Sequence, residues 1–525
     1  MKLSRRQLFL ASLGATQLAL LARTGPGPLG MRQARAGGST PTKLLTIWVP
    51  GGWVPCSIVA PLSQENMALG LPPATFEAGP KMSAFYTWDQ AVNCDGSGHA
   101  EAGSTIQRMR IPRMWDEASL EKGMPDQGIA HPSSGFKTTS NGWSWMEYEL
   151  WKRTCFLHGI NQQTAAHDSA LISSLCGAAG SEFRAPSMHA VIADALYDTY
   201  ADTRPLPSVM VGAAPNTPNG SLPARVAPMR LSSASALQDT LSRKSDYQWE
   251  YFRDAAENPD SDFSGVAGGT RMTNAIDERA LHRVQAMRGL GGKGTDAFYA
   301  DLYDRYRGVS STLARNIVDL VDATPAIDPS IPKPFWGNPG WTQWGVGEAG
   351  GTWDSDFQLT LKLLRSDIAT SIGLRVPGPE NFTFDTHGSP IAEHCIQLNA
   401  CFEVIGRFLG VMGMTPAKNG GTLLDETLVV IFSEFGRTWP SGGDHWPYTS
   451  VAILGGNIEG NRQIGNYDVP KGAVGVPVKI MEEGSSAVER VPTSADVCST
   501  IYNALGARDH FIPGGFGEIQ GVLKT

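Results

Sequence analysis

The sequence lacks paired cysteines, an excess of charge and, beyond its first segment, any long apolar run. Charged residues make up 18% of the 525 residues and hydrophobic residues 41%, which excludes a highly charged disordered chain. The seven cysteines are scattered without a C-x-x-C pair, so their spacing identifies no disulfide, and the odd number leaves at least one thiol free. No later stretch is long and apolar enough to span a membrane, which predicts a soluble mature protein.

Several catalytic motifs are absent as well. The missing G-x-S-x-G pattern disfavours a serine hydrolase of that type. The P-loop, H-E-x-x-H and EF-hand patterns are also missing, and without a dinucleotide or haem motif an exported redox enzyme has little support. The formal net charge is -8, and residues 1–36 hold six basic side chains and no acid, which leaves -14 on the rest. This net negative charge argues against binding of the remaining chain to nucleic acid or anionic lipid.

The first 36 residues are typical of a cleaved export signal. The pair Arg5-Arg6 precedes an apolar stretch that runs to about Leu21, and a Gly/Pro-rich spacer leads to the small-residue site Ala34-Arg35-Ala36. About 15 apolar residues are too few to span a bilayer comfortably, which disfavours a membrane anchor. We therefore predict a twin-arginine signal peptide over 1–36, use of the twin-arginine export machinery, and a periplasmic or secreted protein.

Short apolar runs alternate with amphipathic segments through much of the remaining chain. Strands are predicted at 43–49, 372–376, 427–432 and 451–454. Helices are predicted from two apolar stripes, Phe357, Leu361, Leu364 and Ile368, and Leu398, Phe402, Ile405 and Leu409, with a third after Ser169. This alternation indicates an α/β fold with a mostly parallel central sheet sandwiched by helices.

Two long segments fit that core poorly. We interpret residues of about 65–150 and 240–350 as insertions into a single domain that spans 37–525. Both contain several tryptophans. Their simplest interpretation is packing within the insertions, and the alternative is an aromatic wall over a cleft, for example for sugars.

Polar residues follow the predicted strands where those strands end. They are Asp385 with His387, Ser433-Glu434 with Arg437, Asp444 with His445, and, before a helix, His167 with Ser169. Ligands collect at the carboxyl ends of parallel strands, and a mixed set of carboxylates and imidazoles suits Zn, Mn or Fe better than calcium. Such a metal would polarise a phosphoryl or sulfuryl oxygen or activate water. The alternative is local hydrogen bonding, with Asx-type turns at the Asp-x-His and Asp-His pairs.

Some of these residues belong to longer motifs. The segment 423–438, LLDETLVVIFSEFGRT, followed by GDHWP at 443–447, resembles the signature of the twin-arginine-exported domain-of-unknown-function 1501 family. FDTH at 384–387 is similar to the aromatic-Asp-Thr-His motif of that family, and LPSVMVG at 206–212 and PTSADV at 492–497 also look familial. The resemblance covers roughly residues 40–60, 155–235 and 355–520.

That family is grouped with the alkaline-phosphatase-like superfamily, so the resemblance implies a central sheet between helices and metal-assisted hydrolysis of esters. Glu434 stands where the superfamily has a metal-binding Asp, Asp385 with His387 resembles its Asp/His pair, and His445 its late His ligand. Two departures stand out. Pro50-Gly51-Gly52 replaces a metal-binding Asp, and Phe435 replaces an imidazole.

We therefore expect an exported, metal-dependent hydrolase of phosphate or sulfate esters with one divalent metal, Zn or Mn, and a small ester or glycan as substrate. The alternative is a non-catalytic periplasmic or surface protein that uses the same fold to bind a partner or glycan. Arg437 is the candidate anion clamp, and Ser169 or Thr164 is the candidate nucleophile. The expected metal ligands are Asp385, His387, Glu434 and His445, with His167 or Asp444 nearby.

Overall fold

The computed structural model describes part of the chain. The described residues are 41–53, 92–93, 106–107, 110–111, 145, 148–178, 185–201, 203–212, 214–215, 217–218, 220–231, 320–321, 323–328, 352–376, 385, 387, 391–437, 444–468, 474–482, 486–507 and 516–524. The chain divides into two units, Met1–Ala36 and Gly37–Thr525, and every described residue lies in the second. The signal peptide predicted over 1–36, and most of the insertions predicted at 65–150 and 240–350, lie outside the described residues. Among the described helices, none combines the length and the apolar composition that a membrane crossing needs.

The described secondary structure alternates between strands and helices. The strands are β1 (Lys43–Trp48), β2 (Val92–Asn93), β3 (Ile106–Gln107), β4 (Arg110–Ile111), β5 (Thr154–Asn161), β6 (Leu206–Val211), β7 (Met229–Leu231), β8 (Ala369–Arg375), β9 (Thr427–Phe432), β10 (Gly436–Arg437), β11 (His445–Trp446), β12 (Tyr448–Gly455), β13 (Arg462–Ile464), β14 (Tyr467–Asp468), β15 (Val474–Gly475), β16 (Val478–Glu482), β17 (Ala487–Arg490) and β18 (Gly517–Ile519). The α-helices are α1 (His167–Cys176), α2 (Met188–Ala195), α3 (Tyr197–Tyr200), α4 (Thr352–Arg365), α5 (Ile391–Met414), α6 (Leu423–Glu426) and α7 (Ser494–Ala504).

A nine-stranded, mostly parallel sheet forms the centre of the fold. Its strands lie in the order β3-β13-β5-β12-β9-β1-β8-β6-β7. All of them run in one direction except β12 and β3. The α/β class and the mostly parallel sheet are thereby confirmed. The predicted strand 451–454 lies within β12, which is antiparallel because the connection from β9 contains the β10–β11 ribbon in place of a crossover helix.

Helices pack on both faces of this sheet. Side chains alternate along β1, so that Leu45 and Ile47 join the core formed with α4 and α5. Leu44 joins the core formed with α1, α2 and α7 on the opposite face. The apolar stripes predicted for α4 and α5 are buried throughout, although Ile368 lies just beyond the end of α4.

Buried charges anchor the amino end of β1, at the edge opposite the strand ends considered below. The Lys43 ammonium lies 2.9 Å from Asp367 Oδ1 and 2.8 Å from Glu426 Oε2. Arg204 Nε donates to the same Asp367 oxygen at 2.8 Å. Two cations therefore face two carboxylates, which meets the condition for burying charge without leaving an unpaired ion.

A fully buried histidine joins a helix to two central strands. His189 in α2 lies 2.9 Å from Thr46 Oγ1 in β1 through Nε2 and 2.6 Å from Ser371 Oγ in β8 through Nδ1. Burial lowers the pKa of His189 from 6.5 to about 3, because the charged ring would lose its hydration without gaining a carboxylate partner.

This histidine should make the fold acid-sensitive. Because its pKa is lower in the folded chain, the unfolded chain takes up the proton first; the stabilisation is complete above pH 6.5 and is lost as the pH falls towards about 3. We expect His189→Gln to reduce the dependence of the unfolding free energy on pH in that window by up to about 1.4 kcal/mol per pH unit. Urea unfolding at several pH values measures this dependence, with Lys479→Gln, at an exposed position in β16, as the control. If the unfolding free energy of His189→Gln changed with pH as steeply as that of the wild type, the prediction would be wrong.

Candidate metal centre

The candidate site lies at one edge of the central sheet. The carboxyl ends of the parallel strands β1, β5, β8 and β9 meet there with the amino end of the antiparallel β12. In doubly wound sheets this edge forms the crevice that holds ligands. The residues that follow these strands, or precede β12, are Gly51, His167, Asp385, His387, Glu434 and His445.

Four of these side chains converge on one point. One ligand atom from each of His167, Asp385, His387 and His445 lies within 4.8 Å of the others. The Nε2 atoms of His387 and His445 are 2.8 Å apart, and Asp385 Oδ1 lies 3.1 Å and 3.5 Å from them. His167 Nε2 is 3.4 Å from Asp385 Oδ2. Ligands on a tetrahedral zinc ion, with bonds of about 2.0–2.1 Å, are about 3.3 Å apart, and the four distances given above lie close to that value.

All three histidines turn their other ring nitrogen, Nδ1, towards an oxygen. The distances are 2.9 Å from His167 to Glu434 Oε1, 2.8 Å from His445 to the carbonyl oxygen of Ala165, and 3.6 Å from His387 to Asp444 Oδ1. An oxygen acceptor at Nδ1 favours the tautomer with the proton on that atom and leaves the lone pair on Nε2. The Nε2 lone pairs of His167 and His445 therefore point into the cluster, whereas 3.6 Å from His387 to Asp444 is too long for a hydrogen bond.

Glu434 lies outside the group of four and supports it. Its carboxylate is 2% exposed and accepts hydrogen bonds from the backbone N–H of Gly51 at 2.7 Å, from Trp48 Nε1 at 2.9 Å and from Ser433 Oγ at 3.2 Å, besides its contact with His167. Burial alone would raise the pKa of Glu434, but these hydrogen bonds outweigh it and leave the pKa below its usual value. A buried, ionised carboxylate thus fixes the ring of His167.

Asp385 is held by a second charged residue. The guanidinium of Arg437 is fully buried, donates to Asp385 Oδ1 at 2.5 Å and donates from Nε to the carbonyl oxygen of Gly51 at 3.0 Å. Burial tends to raise the pKa of Asp385, but the hydrogen bond and positive charge of Arg437 lower it overall. Because Arg437 is enclosed in this way, a ligand anion cannot reach it without displacing Asp385.

The pKa values of two of the imidazoles are shifted in opposite directions. The hydrogen bond to Glu434 raises the pKa of His167 in spite of its burial. Burial, followed by the nearby charges of Arg437 and His167, lowers the pKa of His445. The lowered pKa favours the neutral form of His445, which is the form that binds metals.

Phe435 packs beneath the histidines. Its ring centroid lies 4.7 Å from that of His167 and 4.3 Å from that of His445. Gly52, at φ +78°, passes so close that a Cβ atom there would lie 2.3 Å from Phe435 Cε2. The glycine after β1 thus makes room for the phenyl ring, and the ring supports two imidazoles from below.

The remaining predicted residues lie at the margin of the site. Asp444 is 83% exposed and contacts the group through His387. Ser169 lies in the first turn of α1, and no hydrogen bond among the described residues joins it or Thr164 to the four clustered side chains. Sequence reasoning overlooked Trp48 and the carbonyl of Ala165. The Gly51-Gly52 pair after β1, a pattern that can present N–H groups to an anion, was the available signal for the contact with Glu434.

Removing the charge of Glu434 should weaken metal binding without removing a clustered ligand. Every contact of its carboxylate is with a donor, so in Glu434→Gln the side-chain NH₂ would face other N–H or O–H groups. We expect the dissociation constant for zinc to rise about 10- to 100-fold, the usual cost of losing such a supporting contact. Competition with a chromophoric chelator measures it. Glu489→Gln, at an exposed position in β17, is the matched control, and equal affinities in both variants would refute the supporting role.

Part of the chain is similar to a known protein family. A family model described as "Protein of unknown function (DUF1501)" matches residues 373–519. No curated protein matches the sequence. The matched region contains Asp385, His387 and His445 together with both charged supports, whereas His167 precedes it. Over the region that carries most of the candidate site, the chain is therefore similar to the DUF1501 family.

Proposed function

We propose that this chain is an exported, metal-dependent hydrolase of phosphate or sulfate esters, built on an alkaline-phosphatase-like sheet. The observation that carries the proposal is the convergence of three histidine Nε2 atoms and one carboxylate at the carboxyl edge of a mostly parallel sheet. The proposal extends the similarity to the DUF1501 family from residues 373–519 to the whole chain, with the twin-arginine signal at 1–36.

The donor set favours a borderline transition metal. Three imidazole nitrogens with one carboxylate oxygen suit zinc and also accept manganese, whereas calcium requires oxygen ligands throughout. Asp385 contributes one negative charge, and Arg437 keeps it ionised. A divalent ion would therefore retain net positive charge at the site, as an electrophile for an anionic ester requires.

The candidate site is exposed to solvent on one side. The side chain of His387 is 50% exposed, that of His167 39% and that of Asp385 33%, so an ester can approach from solvent. Glu434 and Arg437, both enclosed, fix the orientation of the ligands on the inner side. When bound, the metal would polarise the ester oxygen and lower the pKa of a water molecule.

One observation favours the second candidate, a non-catalytic protein. Four protein ligands are enough to complete a tetrahedral zinc site, and structural zinc sites are closed in this way, whereas catalytic ones keep a position for water. In that case the ion would hold the loops together and the fold would serve to bind a partner or glycan. The open side of the cluster supports the hydrolase, because it leaves room for a fifth ligand.

Metal content is the first test of the proposal. The mature chain, purified without chelators, should contain about one equivalent of zinc or manganese by elemental analysis, and His387→Ala and His445→Ala should each lose most of it. Hydrolysis of p-nitrophenyl phosphate or sulfate should fall in parallel with the metal. Glu489→Gln should retain both. Less than about a tenth of an equivalent of any transition metal in the wild type would refute the metal site.

Access of a further ligand to the metal distinguishes the hydrolase from the non-catalytic protein. We expect the absorption spectrum of the cobalt-substituted protein to change saturably when phosphate or sulfate is added, because an open site accepts a further ligand. A spectrum that stays tetrahedral and unaltered, in a protein with a full equivalent of cobalt, would favour the structural ion and the non-catalytic role.

A further inference from the structure

Arg375 occupies the end of the strand next to β1. It is the last residue of β8 and pairs in register with Trp48, the last residue of β1. Its guanidinium carbon lies 5.4 Å from the centroid of the Trp48 ring. Trp48 packs on the face of the sheet that α1 covers, and His167 opens α1. Arg375 therefore lies on the same face and at the same edge as the candidate metal centre.

The guanidinium of Arg375 has one donor atom that is left unpaired among the described residues. Its Nε atom is buried, and within the described part of the chain it has no hydrogen-bond partner. Burial lowers the pKa of Arg375, and the charge of Glu434 opposes this only in part. A buried donor of a charged group is expensive to leave unbonded, so an unpaired one calls for an explanation such as a bound ligand.

Several other arginines in the described chain donate to carboxylates, whereas Arg230 donates to the backbone carbonyl oxygen of Ala214. Arg204 donates to Asp367, Arg437 to Asp385 and Arg490 to Asp496. For Arg375, no ion pair occurs among the described residues, although it lies at the edge where ligands would enter. This contrast makes it a better anion receptor than the enclosed Arg437.

We infer that Arg375 binds a tetrahedral oxyanion, the phosphate or sulfate group of the ligand, beside the metal centre, with the ring of Trp48 packed against the guanidinium. A chain of contacts links the two places, because Trp48 Nε1 donates to Glu434 Oε2 and Glu434 Oε1 contacts His167. The planar guanidinium can donate two parallel hydrogen bonds to such an anion. The inference deepens the proposed function and rests on it for the identity of the substrate, but binding of the anion by Arg375 does not itself require the ion.

The test measures the binding of inorganic phosphate and inorganic sulfate to the mature chain by calorimetry, in zinc-loaded and in chelator-treated protein. We expect R375Q to weaken binding of the preferred anion at least about tenfold, and R375K to weaken it less, because lysine keeps the charge but loses the planar donor pair. R365Q is the matched control, since Arg365 lies at the end of α4 and is paired with Asp328. It should bind as the wild type does, and all three variants should hold the same amount of zinc.

Two results would overturn the inference. One is equal affinity in wild type and R375Q, and the other is no binding of either anion to the wild type. If the wild type holds no metal, the proposed function fails while the chelator-treated series still decides the role of Arg375. Thermal unfolding is a second measure of anion binding. The anion should raise the melting temperature of the wild type more than that of R375K, the variant that keeps the positive charge.

Discussion

The arrangement at the sheet edge depends on one buried negative charge. Glu434 follows β9 directly, and its carboxylate receives donors from the turn after β1, from the Trp48 indole and from His167 at the start of α1. A carboxylate buried to this degree is tolerated only when hydrogen bonds replace its lost hydration. The three elements are therefore held in one relative position by the same two oxygens, and the orientation of His167 follows from that constraint.

The backbone of Gly51 connects this carboxylate with its positive counterpart. Its N–H donates to Glu434, and its carbonyl oxygen accepts from Arg437, which in turn holds Asp385. The peptide group that follows β1 thus supports residues from two other loops. One peptide group therefore couples the buried carboxylate of Glu434 to the buried guanidinium of Arg437.

Sequence patterns predicted the sheet class and the strand ends well, because apolar runs such as 427–432 are buried on both faces and their period is unambiguous. The residues at those ends could be identified by type, and His167, Asp385, His387 and His445 do come together. Which of the polar residues lie in the cluster and which support it from outside could not be predicted. Whether Glu434 points into the cluster or behind it depends on the path of the turn at Gly51, and whether Arg437 is free or enclosed depends on Asp385, far away in sequence. The direction of β12 was equally hidden, since its apolar run fits either orientation.

The spacing of the four clustered residues has a further meaning for how the chain is held together. They stand at positions 167, 385, 387 and 445, so a shared ion would act as a cross-link that closes loops of very different length. Closing a loop removes entropy from the unfolded chain, and the gain grows slowly with loop length. The largest loop, from residue 167 to residue 385, would enclose β6, β7 and β8, which are three of the parallel strands of the sheet. All four residues could share such an ion only after the chain has been synthesised past residue 445, so loading would mark a late stage of folding.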